Sequence, residues 1–237
     1  MRTRVIPVLI FLAVFLSFLN AAAQQKPANF TDASGKKQGA WCKVDSAGHK
    51  IYEGQFRDNI PYDTFRYYYP DGKIKTLSVF SDNGRKVRSV SYFKNGKVMA
   101  KGNYLGEKKD STWQFFSEYD GVKVSEEKYR NGLKEGVSTI FFPEGGVSET
   151  ITWTNDLRNG LWETWYTDGK IKMKGAYKNG DKSGSFIFYY NSGKVMITGD
   201  YLEGHQHGTW LYFSDKGEVI RTETYDKGIL LDKTPKE

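Results

Sequence analysis

Three histidines, one cysteine and a scatter of carboxylates are the side chains of this chain best suited to chemistry. His205 and His207 would share one face of an extended strand and could supply half of a zinc site. Zinc sites ordinarily take three or four protein ligands, and no Cys or carboxylate cluster stands at ligand spacing. The pair therefore reads as part of a surface turn before Gly208. Cys42 would act as a nucleophile only beside a base that lowers its pKa, and it reads instead as a passive thiol facing away from Trp41. A lone Cys also excludes an intrachain disulfide. Asp71, Asp120, Glu144 and Asp168 each precede a turn glycine, where turn chemistry favours such residues. No pair spaced for glycoside hydrolysis can be picked from them. With no Gly-rich phosphate loop, no G-x-S-x-G and no H-E-x-x-H, the expectation is a non-enzyme without catalytic residues, metal or cofactor.

The elements that would position any site are periodic. Three columns recur along the chain. The first is Trp41, Phe65, Ser89, Trp113, Ser138, Trp162, Phe186 and Trp210. The second is a glycine at 48, 72, 96, 121, 145, 169, 193 and 217, and the third an aromatic at Phe56, Phe80, Tyr104, Tyr129, Trp153, Tyr177, Tyr201 and Tyr225. Successive glycines lie 24 residues apart, with one step of 25 between Gly96 and Gly121. Within a copy, two stretches of alternating character flank a turn such as Asp168-Gly169, which is the pattern of a β-hairpin. Asn83-Gly84, Asn131-Gly132, Asn159-Gly160 and Asn179-Gly180 supply a second turn between strands, because these residues adopt positive φ cheaply.

A hairpin is marginal alone, so the copies must stack. The fold expected is all-β: an elongated single-layer antiparallel meander of about eight 24-residue hairpins. About 16 strands at about 4.8 Å would extend roughly 75 Å. Gly54, Gly102, Gly175 and Gly199 stand two residues before a third-column ring, on the same face, and leave room for a neighbouring ring to lie flat on the backbone. The alternative is that these glycines mark bulges. Where Ser78, Glu127, Ile151 and Glu223 replace them, ring packing should be altered, and Arg221 and Glu223 stand where a cap is due.

Gly102-Asn103-Tyr104, Gly175-Ala176-Tyr177 and Gly199-Asp200-Tyr201, with Gly160-Leu161-Trp162 and Gly208-Thr209-Trp210, resemble the MORN repeat in its bacterial variant, over about residues 39–230. The resemblance implies scaffolding and protein contact, with lipid contact in some members. Relatives labelled as antitoxin proteins imply neutralisation of a toxin, a cytoplasmic role at odds with export.

Export is read from the start of the chain. Arg2 and Arg4 precede an apolar run from Val5 to Leu19, and Ala21 and Ala23 fit a cleavage site before Gln24. The run is shorter than a membrane span. The organisation expected is a signal peptide at 1–23, a linker at 24–38, the repeats at 39–230 and a polar tail at 231–237, with no transmembrane span after cleavage and a periplasmic or extracellular location. A content of 38% hydrophobic and 16% aromatic residues argues against disorder. The net charge of +7 is spread without basic runs, so nucleic acid is not the expected partner.

Partners are sought on the face opposite the ring columns. Trp165, Phe213 and Phe116 are the candidate anchors for another envelope or secreted protein. Lys170, Lys172 and Lys174, with Lys73, Lys75, Lys97 and Lys101 in other copies, form candidate rows for an anionic lipid or polysaccharide surface. A third reading lays aromatic rings against a glycan.

Overall fold

The computed structural model describes residues 28–235. The signal peptide, its cleavage before Gln24 and residues 236–237 lie outside the described residues. The described residues form twenty strands and no helix, and neighbouring strands pair antiparallel in one open sheet. Two interruptions, at Glu135 and Ser183, split what are otherwise single strands. Setting those breaks aside, together with Phe30–Thr31 at one end and Ile229–Pro235 at the other, leaves the 16 repeat strands that the periodicity demands. The first copy is Lys37–Val44 with Lys50–Arg57, the third Lys86–Tyr92 with Val98–Leu105, the sixth Leu157–Trp165 with Ile171–Lys178, and the eighth His205–Phe213 with Val219–Asp226.

Two kinds of turn join these strands. Inside each copy, the second-column glycines take φ between +80° and +93°. In the sixth copy Gly169 donates its N–H to Tyr166 O at 3.0 Å, and Tyr166 donates to Lys170 O at 2.8 Å. This is a three-residue loop whose last residue must be left-handed, which explains the column. Between copies, most connections are two-residue turns with both φ positive, as at Asp58-Asn59, Asn131-Gly132 and Asn179-Gly180. Asn159-Gly160 is not a turn: it lies inside the strand Leu157–Trp165, and Asn155-Asp156 makes the connection.

Gly160 has a different task. Its φ is +118°, and the residue two places before the first column is left-handed in seven copies: Gly39, Asp63, Ser111, Gly136, Gly160, Gly184 and Gly208. Where such strands follow a preceding copy, the ladder skips, for instance between Glu53 and Gln55, between Lys101 and Asn103, and between Thr198 and Asp200. The extra residue of a bulge tips the following ring over the previous strand. It lands on a glycine. An added Cβ would stand 2.4 Å from Phe65 at Gly54, 2.3 Å from Trp113 at Gly102, 2.4 Å from Phe186 at Gly175 and 2.2 Å from Trp210 at Gly199. Bulge and flat ring are therefore two halves of one arrangement rather than alternatives. Trp113 and Trp210 fix it by donating Nε1–H to Asn103 O at 2.9 Å and Asp200 O at 3.2 Å.

The core is a ladder of rings along one face. Phe65, Trp113, Phe186 and Trp210 are at most 3% exposed. First- and third-column rings meet edge to face, with centroids 5.0 Å apart for Phe65 and Phe80, 4.9 Å for Tyr104 and Trp113 and 4.6 Å for Phe186 and Tyr201. Such pairs contribute about 0.5–1.5 kcal/mol each beyond the area they bury. The ladder is interrupted twice, at Ser89 and Ser138. Ser89 faces Ser78 across a regular ladder, their hydroxyls 3.4 Å apart, and that junction has neither bulge nor ring. At the other gap Glu127 replaces glycine and carries Tyr129 Oη and Lys134 Nζ, the latter at 3.0 Å. The far end is closed by Glu223, 5% exposed, which accepts from Tyr212 Oη at 2.5 Å and Tyr225 Oη at 2.9 Å beside Arg221 and Lys233. Burial and that carboxylate push the Tyr212 phenol up to about 12.

Residues expected as linker and tail also join the sheet. Phe30–Thr31 pairs with Lys37–Gln38, and the Asn29 side chain accepts from Cys42 N at 2.8 Å. Ile229–Pro235 pairs with the eighth copy as an exposed last strand.

Candidate binding surface

The face opposite the ring ladder carries its own periodic column. Trp165, Phe213 and Phe116 each occupy the last strand residue before the loop inside a copy, where the register shifts by one; that loop has three residues after Trp165 and Phe213 and four after Phe116. Each stands three residues after an inner first-column ring, so strand alternation sets it on the outer face, and the extra residue of the shift lies on the returning strand. They belong to a row of eight: Val44, Tyr68, Tyr92, Phe116, Phe141, Trp165, Tyr189 and Phe213. The reading from sequence singled out three of these and missed the others, although the same steps of 24 residues and one of 25 connect them. All except Val44 are half-buried, and Val44 is 53% exposed.

The row is held at its spacing by the copy before. Tyr69 Oη donates to Tyr92 O, Tyr166 Oη to Tyr189 O and Tyr190 Oη to Phe213 O, each at 2.7 Å. Lysines at the loops add equivalent ties: Lys73 Nζ donates to Lys94 O at 3.0 Å and Lys194 Nζ to Asp215 O at 2.8 Å. Members of the row stand two strands apart, which is roughly 10 Å at ordinary strand spacing. Cations cover some rings: Lys50 Nζ lies 5.2 Å from the Tyr68 centroid, Lys101 Nζ 5.3 Å from Phe116 and Lys123 Nζ 4.2 Å from Phe141. Around Tyr68, Glu53 accepts from the phenol at 2.5 Å and from Lys50 at 2.7 Å. These bonds hold its carboxyl below the usual range.

The lysines at 170, 172 and 174 are exposed, but their charge is largely answered. Lys170 Nζ stands 3.0 Å from Asp168 and Lys174 Nζ 3.7 Å from Glu163, while Lys172 lies over the Tyr166 ring at 5.7 Å. Exposed pairs of this kind add about 0–1 kcal/mol of stability. Their larger effect is to reduce the field available to an anionic surface.

The other groups able to do chemistry take structural places. Asp71, Asp120 and Asp168 accept from Lys73 N at 3.2 Å, Val122 N at 3.1 Å and Lys170 N at 3.1 Å, closing their own loops. His205 and His207 open a strand rather than sit in a turn, and His207 Nδ1 is 3.4 Å from Asp226. No group of three potential metal ligands occurs among the described residues. Cys42 is a half-buried free thiol.

One comparison with known proteins, that with family models, agrees with this repeat pattern. A family model described as MORN repeat variant matches residues 64–82, 88–105 and 158–179. No curated protein matches the chain. Among solved structures, a crystal structure of TcdB2-TccC3 is 12% identical, covering 81% of this chain and 13% of that one, with a TM-score of 0.22. A Tc holotoxin pore from Photorhabdus luminescens is 11% identical over 78% of this chain and 11% of that one, also with a TM-score of 0.22. This chain thus spans a small fraction of the length of either.

Proposed function

We propose, on the match of three stretches of this chain to the MORN repeat variant, that it is an exported, non-enzymatic scaffold that holds another envelope or secreted protein against its outer aromatic row. One observation carries the reading: the half-buried row from Tyr68 to Phe213 is kept in register by the Tyr69, Tyr166 and Tyr190 hydroxyls. Regularly spaced, partly exposed rings on a stiff support suit a partner that binds with little ordering cost. Ordinary surface aromatics occur singly and unheld, whereas these are fixed across copies.

Crosslinking in intact cells followed by mass spectrometry tests the proposal. Crosslinks to one partner should concentrate on the outer face, and Trp165→Ala with Phe213→Ala should abolish them while circular dichroism stays unchanged. Crosslinks confined to the ring-ladder face, or unaffected by the pair of substitutions, would overturn it. N-terminal sequencing of the protein recovered from the envelope tests export, with Gln24 as the expected first residue.

A further inference from the structure

We infer that the outer face across the second to fourth copies is a binding site for a short acidic oligosaccharide, centred on Arg88 and distinct from Trp165 and Phe213. A groove of about 440 Å³ is lined there by Val79, Ser81, Lys86, Arg88, Asn103 and Asp110, among others. It meets a recess of about 310 Å³ to which Arg88, Lys101, Asn103, Thr112 and Gln114 contribute. Arg88 and Asn103 belong to both.

The local ladder explains why a groove forms here. The strands Ile74–Ser81 and Lys86–Tyr92 pair without a register shift, the junction with neither bulge nor ring. Val79 and Asn103 therefore stand directly opposite Arg88 on its two sides, and Val90 and Gln114 stand opposite Lys101. Short side chains at Val79, Ser81, Asn103 and Thr112 make the floor. Lys86, Arg88 and Lys101 make the rim.

At this rim the charge of Arg88 has no close carboxylate partner, although Asp110 also lines the groove. Among the described residues no carboxylate lies within 4.0 Å of the Arg88 guanidinium, whereas Lys86 is paired with Asp82 at 3.7 Å and Lys101 acts on the Glu126 carboxylate and lies 5.3 Å from the Phe116 centroid. In the sixth copy, by contrast, Asp168 and Glu163 occupy the lysines. The unpaired guanidinium of Arg88 thus stands beside Lys101, a member of the lysine rows, without belonging to those rows itself.

The same geometry selects the ligand. These are interior strands whose backbone groups are committed to the ladder on both sides, so a peptide cannot add as a further strand. Recognition is left to side chains. A guanidinium grips a carboxylate through two parallel bonds, while the Asn103 amide and the Thr112 hydroxyl can bond neighbouring sugar hydroxyls.

Calorimetric titration of the purified chain at low salt tests the site with trigalacturonic acid, a neutral trisaccharide and hexaglutamate as probes. Trigalacturonic acid should bind, at least tenfold more tightly than either of the others. Arg88→Ala should weaken it tenfold or more, Arg88→Lys should restore only part of the loss, and Lys172→Ala with Lys174→Ala should leave it unchanged. Far-UV circular dichroism checks that each variant is folded. Equal binding of hexaglutamate or the neutral sugar, no effect of Arg88→Ala, or no binding at millimolar probe would each overturn the assignment.

Discussion

Replacing Gly199 with alanine would place a methyl carbon 2.2 Å from Cδ2 and 2.4 Å from Cε2 of Trp210. Ordinary contact begins near 3.4 Å, so the indole must retreat by about 1.2 Å. It has nowhere to go. Trp210 is 2% exposed, its centroid is 5.3 Å from that of Tyr201, and its Nε1–H is held by Asp200 O at 3.2 Å. Overpacking of this kind costs about 1–3 kcal/mol, and a weakened indole hydrogen bond about 0.5–1.5 kcal/mol more. The expected loss is therefore about 2–4 kcal/mol, read from urea unfolding followed by far-UV circular dichroism. A double-mutant cycle isolates the cause. On a Trp210→Ser background, which imitates the Ser78–Ser89 junction, the same glycine substitution should cost nothing or stabilise by about 0.5–1 kcal/mol, since alanine restricts the unfolded chain more than glycine does. If Gly199→Ala costs the same in both backgrounds, or less than about 0.5 kcal/mol in the native one, the ring-on-glycine account of the repeat is wrong.

Further outcomes follow from other contacts. The Tyr212 and Tyr225 hydroxyls, aided by Arg221 and Lys233, hold the Glu223 carboxyl below its usual range. Its stabilising contribution is present above the free carboxyl value near 4.5 and fades as pH falls through the lowered folded value. Melting curves of the native protein and Glu223→Gln should be well separated at pH 7 and converge toward pH 3; parallel profiles would count against the end-cap. Tyr166→Phe removes the bond to Tyr189 O and should lower stability by about 0.5–1.5 kcal/mol, with faster amide exchange on both sides of the sixth and seventh copies. Excising residues 170–193 joins Gly169 to Lys194, one turn position to its equivalent, and should leave a shorter protein that still melts cooperatively as pure strand. Helix in its circular dichroism spectrum, or failure to fold, would refute the picture of interchangeable units.

Much of this architecture is legible along the chain because its causes are local. A glycine such as Gly169 ends a three-residue loop whichever neighbours it has, and alternation along Ile171, Met173, Gly175 and Tyr177 assigns a face wherever the strand pairs. Spacing alone also places Gly175 beneath a ring, since an absent side chain must admit something. Asn159-Gly160 shows the limit. The dipeptide suits a turn, yet its neighbour Asn155-Asp156 took that place, and Gly160 became the bulge that aims Trp162.

The candidate sites depend more heavily on pairing. Eight outer residues in steps of 24 and 25 could have been found by the same count that found the inner columns, since alternation sets each outward, but only pairing shows which neighbouring groups hold them. For Lys170 and Lys174, sequence spacing shows a row of charge, while the strand opposite and the loop supply Glu163 and Asp168 to occupy it. Arg88 looks unremarkable in sequence, and register across three strands leaves it unpaired beside Asn103. Periodicity by itself determined that this chain is a stack of hairpins, because turn preference and alternation act within a few residues. Which side chains end up free, paired or pressed flat was decided only by register between strands, where a shift of one residue sends a side chain to the opposite face.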